Sequence, residues 1–197
     1  MIPSMTHRRS TRYFEDRPIP QDLLTEILLA GRQAPSPGNR QPWTFIVVSG
    51  EAKAGMIAAI NAGISRIGDG RRLSPAAAAG VRYTLRAMSE APVTIFVINP
   101  FGRDPRADWS PQEKINELLH MQGIGAAVEN MALAADDLGI GSLWIGHIFV
   151  AYDELMAWLA PEKGTIALAL SLGYPARPPI DRPSARKPLA DMVVYRS

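Results

Sequence analysis

Apolar and small residues recur at helical spacing along Ile115, Leu118, Met121, Ile124, Val128, Met131, Ala135 and Leu138. The spacing predicts one long helix over residues 111–139. Ser110 and Pro111 with Glu113 provide a start, and Gly139 a stop. Such a helix is about 40 Å long. Between Leu118 and Ala135 the only carboxylate is Glu129, so most of the circumference is expected to be buried. Gly123 and Gly125 lie mid-helix, where each glycine costs up to ~1 kcal/mol against alanine. Something must approach the backbone closely there. A neighbouring helix of the same chain and a symmetric dimer seam satisfy that equally well.

The rest of the pattern alternates short apolar runs with amphipathic segments. Helices are predicted at 4–12 (capped by Ser4), 21–33, 52–67, 76–89 and 152–159. Strands are predicted at 44–49 (TFIVVS, buried), 92–99 (PVTIFVIN, buried on both faces), 142–148 (SLWIGHI) and 165–172 (TIALALSL). Residues 34–43 (APSPGNRQPW) hold three prolines and a glycine, which excludes helix or central strand. Residues 68–75 and 100–110 read as loops, the second carrying Trp109. The stretch 176–197 is basic and proline-rich, ends in the β-prone MVVYR, and has too little apolar content for a core of its own. It must lie across its own domain or a partner chain. The sum is α/β or α+β: a small sheet of four or five strands sandwiched by helices, in one domain over 1–197 with no dividing linker.

Composition narrows the function classes. The chain of 197 residues is 47% apolar and 20% charged, and it contains no cysteine. That removes disulfides, thiol nucleophiles and thiolate metal sites, and favours a cytoplasmic location. No apolar run reaches the roughly 18 residues of a membrane span, and the first ten residues lack the apolar core of a signal peptide. The net charge of +2 is too small to imply a nucleic-acid partner. Basic residues nevertheless cluster at both ends: Arg8, Arg9 and Arg12, then Arg177, Arg182, Arg186 and Lys187.

The three histidines, His7, His120 and His147, show no metal-ligand spacing. No GxSxG or phosphate-binding loop is present, and the glycines of residues 123–128 lie inside the long helix without a preceding strand. What remains is anion-binding and aromatic chemistry, which suits an enzyme whose cofactor performs the reaction. RRSTR (residues 8–12) places three guanidiniums and a hydroxyl in a small volume. Arg8 and Arg12 would share a helix face, where an anion between them would relieve their repulsion. The loop carrying Pro35, Ser36 and Asn39 presents polar groups from a stiff turn. In GIGSLWIG (139–146), Gly146 would let a flat ligand touch backbone N–H groups. RPSARKPL (182–189) is a second basic patch. Each motif alone also reads as ordinary structure: a solvated basic terminus, a rigid turn, a glycine-rich connection, a solvated tail.

Taken together and in this order, RRSTRYF, APSPGNRQPW, the strand APVTIFV, the long helix ending in LGIGSLWIG, LGYPA and the RKPL–VV tail resemble the nitroreductase family of FMN-dependent oxidoreductases. The resemblance covers nearly the whole chain. It implies a three-layer sandwich with a small, mostly antiparallel sheet and an intertwined homodimer with the long helix at its interface. It also implies an arm, 176–197, reaching onto the partner. It implies FMN gripped by Arg8, Arg9 and Ser10, with Arg12 near the pyrimidine end of the flavin as an electrostatic stabiliser. Pro35, Ser36 and Asn39 would come from the other subunit, Trp144, Ile145 and Gly146 would line the reactive edge, and Arg186 with Lys187 would reach the phosphate. NAD(P)H is implied as co-substrate in ping-pong hydride chemistry that reduces a small electron-poor acceptor such as a nitroaromatic or quinone. No catalytic side chain, metal, nucleic acid or membrane is implied. The chain departs from the family in having Gly146-His147 where some members carry a glutamate. The residues holding the flavin's far edge do not align; Arg66, Arg71 and Arg72 are the candidates. Dehydrogenation, dehalogenation, flavin breakdown and non-catalytic FMN binding are the alternative roles on this fold.

Overall fold

The computed structural model describes residues 2–67, 75–178 and 186–196. Four strands, β1 (Thr44–Ser49), β2 (Val93–Asn99), β3 (Gly141–Ile145) and β4 (Thr165–Gly173), form one sheet in the order β1-β2-β4-β3, every pair antiparallel. Among the described residues six helices accompany it: α1 (Pro3–His7), α2 (Gln21–Arg32), α3 (Ala52–Ile67), α4 (Pro75–Glu90), α5 (Pro111–Asp137) and α6 (Tyr152–Leu159). The fold is therefore the α+β three-layer arrangement expected.

The period-2 alternation of β2 explains the layers. Val93, Ile95 and Val97 face α2 and α5, in a core with Ile27, Ile124, Met131, Leu168 and Leu170. Phe96 and Ile98 face α3, α4 and α6, in a core with Met56, Met88, Leu143 and Leu155. All of β2 is buried. On the second face the Thr94 and Ser171 hydroxyls satisfy each other at 2.8 Å, as buried polar groups must.

The predicted capping of α5 holds in detail. Ser110 Oγ accepts from the Glu113 N–H, and the Glu113 carboxylate accepts from the Ser110 N–H, a capping box. Gly139 turns the chain out at φ 70°. Gly31 brings α2 against α5 (a Cβ there would sit 2.7 Å from Met131 Cγ).

Four expectations are corrected. The first helix ends at His7, not Arg12, and Ser4 lies buried within it while Ile2 occupies the cap position. β1 is an edge strand with Val47 38% exposed, because only β2 pairs with it. β3 stops at Ile145; residues 147–151 form a 3-10 turn that leads into α6. The β-prone MVVYR forms no strand, since it pairs with nothing among the described residues, and Val194 and Tyr195 stand exposed. The circumference of α5 is also less covered than its composition implied. Ile115, Leu118 and Leu119 are exposed, and a Cβ on Gly125 would meet nothing within 4 Å.

Candidate functional site

Beyond His7 the N-terminal segment runs extended along the outer edge of β3. Ser10 bridges Ser142 in parallel, and the Thr11 N–H donates to the Ser142 carbonyl at 2.9 Å. Further on, Glu15 N–H donates to Tyr174 O and Ala176 N–H to Tyr13 O. Arg8 and Arg12 consequently share no helix face; they are spaced along an extended segment. The docking depends on a residue the sequence reading passed over. A Cβ on Gly141 would lie 2.7 Å from Thr11 Cβ, so only glycine admits the segment there. Tyr13 is clasped between two guanidiniums, Arg177 at 3.7 Å and Arg86 of α4 at 4.4 Å from its ring centroid. Hydrogen bonding to Arg86 first, then to Tyr83, and after these the charge of Arg86 hold its hydroxyl below the usual phenol range.

The three candidate arginines are committed differently. Arg8 Nε lies 3.3 Å from a Glu129 carboxylate oxygen on α5, and its terminal nitrogens have no bond among the described residues. Arg9 folds one terminal nitrogen onto the carbonyls of Thr6 (2.8 Å) and Arg8 (2.9 Å), which tends the C-terminal end of α1. Arg12 is exposed, with a single bond to the Ser10 carbonyl at 3.2 Å. Ser10 is exposed, and the buried Ser142 hydroxyl opposite it has no partner among the described residues.

The second candidate, the proline-rich loop, closes through Ser36. Its hydroxyl accepts from the Gln41 N–H at 2.8 Å. Gly38, Asn39 and Gln41 all adopt positive φ (58°, 51° and 48°), a conformation costly for Gln41. The loop rests on α5 at Gly123, where a Cβ would lie 3.2 Å from Ser36 Cβ and 3.3 Å from Pro35 O. Gly123 is thus a contact within the chain, whereas Gly125 is not.

At the end of β3, Trp144 is 40% exposed, Ile145 is buried in the core, and Gly146 faces open space. The next residue, His147, turns its exposed ring to α4, with Nδ1 3.2 Å from Thr84 Oγ1. Within one chain the structure brings residues 8–12 beside β3, whose far end carries Trp144–Gly146, and sets Pro35, Ser36 and Asn39 apart against the middle of α5. Arg186 and Lys187 are exposed in the tail and make no ion pair among the described residues. Arg66, a far-edge candidate, is already bound to Glu154 Oε1 at 2.5 Å and lies 3.6 Å from Asp153. Arg71, Arg72 and Arg182 lie outside the described residues, as does the loop predicted at 68–75 apart from Pro75, which opens α4.

Two further ionisable groups sit near the start of α5. His120 is buried against Phe101 (ring centroids 5.2 Å apart), and burial, helped by the charge of Arg40, pushes its pKa down. Glu117 accepts from Asn99 Nδ2 at 2.8 Å, yet its burial outweighs that bond and raises its carboxyl above the ordinary value. A raised carboxyl favours the folded state below its unfolded value and loses that contribution as the pH rises through the folded value. Glu117→Gln is therefore expected to raise Tm at pH 7, and the gain should disappear near pH 4. Thermal melts at the two pH values check this; an equal shift at both would mean that burial does not penalise the charge.

Among the described residues no cluster of His, Asp and Glu could hold a metal ion, and no helix is long and apolar enough to cross a membrane. Residues 5–174 match the family model described as the nitroreductase family. The chain belongs to the nitroreductase family. Within this family it resembles a protein of Archaeoglobus fulgidus provisionally named an NADH dehydrogenase/NAD(P)H nitroreductase. The two are 32% identical over 173 residues, 85% of this chain and 81% of the relative. An iodotyrosine dehalogenase 1 homologue from Caenorhabditis elegans is 28% identical over 193 residues, covering 94% of this chain and 58% of that one. A solved structure from Desulfovibrio desulfuricans, provisionally named a nitroreductase and in complex with FMN, aligns with a TM-score of 0.69 and 28% identity over 98% of this chain and 95% of that chain.

Proposed function

We propose that this protein is an FMN-dependent oxidoreductase that draws reducing equivalents from NAD(P)H and delivers them to an electron-poor aromatic acceptor, a nitroaromatic or a quinone. The observation that carries this reading is the cradle along β3. The terminal nitrogens of Arg8, whose Nε alone meets Glu129, the exposed Arg12 guanidinium with no side-chain acceptor among the described residues, a buried Ser142 hydroxyl unpartnered among them and the open space over Gly146 line one edge of the sheet. Such a set suits a phosphate-bearing, flat, partly anionic group.

FMN, when bound, would supply the redox chemistry. The residues of this chain bind and orient. Arg8, Arg9 and Ser10 hold the phosphate and ribityl end, and Arg12 sets positive charge beside the ring system, where it favours the anionic reduced form. Trp144, Ile145 and Gly146 shape the reactive edge. Pro35, Ser36 and Asn39 serve the site of the other subunit, and Arg186 with Lys187 reach the phosphate from the arm 176–197. A homodimer is built into this reading. Ile115, Leu118 and Leu119 stand exposed on one side of α5, the half-buried Gly125 and Ala126 continue that side two turns on, and the exposed Leu189, Met192, Val194 and Tyr195 give the arm an apolar side to lay on a partner. The cysteine-free chain suits the cytoplasm.

The visible spectrum of the purified protein, taken anaerobically before and after NADH and then NADPH, tests the proposal. A yellow protein that bleaches is expected. A yellow protein that neither nicotinamide bleaches would replace catalysis with cofactor binding alone, and a colourless protein that takes up no added FMN would overturn the reading. The dehalogenase homologue supports a second reaction on the same site, reductive dehalogenation, distinguished by halide release from a halogenated phenol under reducing conditions.

A further inference from the structure

A cavity of about 320 Å³ opens between the start of α5, the start of β4 and the loop of residues 100–110. Its walls include Trp109, Met121 and Phe149, with Arg103, Lys114, Glu117 and Thr165 as polar members. It abuts the turn after β3. The Phe149 N–H donates to the Gly146 carbonyl at 3.3 Å, and Ala167 lies two residues before Ala169, the register partner of Ile145. The loop that forms one wall is held in place. Arg106 pairs with Asp104 at 2.7 Å and with both oxygens of Asp153 on α6, and the Trp109 indole N–H donates to the Asp104 carbonyl at 3.0 Å. The cavity is therefore preformed, which spares a ligand the ordering cost.

Its chemistry is specific. The walls present two aromatic rings and a thioether, which suit a flat ring. A 150 Å³ apolar cavity accommodates benzene, so roughly twice that volume takes a substituted one- or two-ring compound. The charges at the mouth are unequal. Arg103 is neutralised by Glu113, and Glu117 is bound by Asn99 and reluctant to ionise. Lys114 is exposed and has no carboxylate within ion-pair distance among the described residues. One uncommitted ammonium group thus stands at the rim of an aromatic pocket.

We infer that this cavity is the acceptor pocket and that it selects an aromatic acceptor carrying an acidic substituent, whose charge is met by Lys114. The inference rests on the oxidoreductase reading for its turnover but not for its binding. In the reaction used as readout, a nitro group takes two electrons and two protons, one N–O bond breaks, water leaves and a nitroso group remains, while one NAD(P)H is oxidised.

The test uses the FMN-loaded full chain with 4-nitrobenzoate and nitrobenzene. Quenching of tryptophan fluorescence should show saturable binding of 4-nitrobenzoate, weakened about tenfold by Lys114→Ala and restored by Lys114→Arg. In turnover, the preference for 4-nitrobenzoate over nitrobenzene should fall about tenfold in Lys114→Ala, through KM rather than kcat. Binding unaffected by Lys114→Ala, or an unchanged preference, overturns the assignment. Binding that responds to Lys114 in a protein whose flavin is never bleached upholds the pocket and removes the oxidoreductase reading instead.

Discussion

Leu118→Asp is expected to yield a monomer that no longer retains FMN. Leu118 is 65% exposed in the single chain and lies on α5 between Ile115 and Leu119, both also exposed. Because it touches little of its own chain, the substitution should leave the fold intact, with far-UV circular dichroism unchanged. In the proposed dimer the same position lies in the seam, and two-fold symmetry applies the change twice. An uncompensated buried carboxylate costs about 3 kcal/mol or more. Two of them would weaken association by roughly four powers of ten. Light scattering coupled to size exclusion reads the mass, and flavin absorbance of the same peak reads the cofactor, whose site would draw Pro35, Ser36 and Asn39 from the partner. A dimer that persists with its flavin would place the seam elsewhere.

Gly141→Val should cripple FMN binding by a different route, leaving the oligomer in place. A Cβ at this position already collides with Thr11, and a β-branched side chain admits no relief on that side. The segment carrying Arg8, Ser10 and Arg12 must lift off β3, losing the Thr11–Ser142 backbone bond. Overpacking of this kind costs about 1–3 kcal/mol, so FMN affinity should fall about tenfold to a hundredfold by titration calorimetry. Thr11→Gly in the same chain removes the obstructing side chain and should recover most of the loss. A Gly141→Val protein with native affinity would detach the arginines from the cofactor.

How much of this was legible in the sequence depended on how local each determinant is. The start of α5 is a contact between residues three apart, and its capping box was readable from Ser110 and Glu113. The two-faced burial of β2 was likewise written into an unbroken β-branched run. The extent of the first helix was not, because residues 8–14 gain more from pairing with residues 142 and 174–176 than from continuing a short helix, and that competition is tertiary. The basic motif was visible while its conformation was not. Gly141 passed as part of a turn, since its function is to admit a side chain 130 residues earlier. Gly123 and Gly125 looked equivalent and are not: one accepts the loop at Ser36, the other faces outward. Of the pocket only the loop carrying Trp109 stood out, because Lys114, Trp109 and Ala167 converge only once α5 and β4 are packed.

The edge pairing of Ser10 with Ser142, and of Phe14 with Pro175, joins positions well over a hundred residues apart. Closing so long a loop carries a large entropic cost, and contacts of this kind form late. During synthesis RRSTR is made roughly 130 residues before β3, the strand it lies on, and stays unpaired until then. In the proposed reading the basic cradle would thus work as a completion mark: a chain cut short before β3 would offer no place for the phosphate.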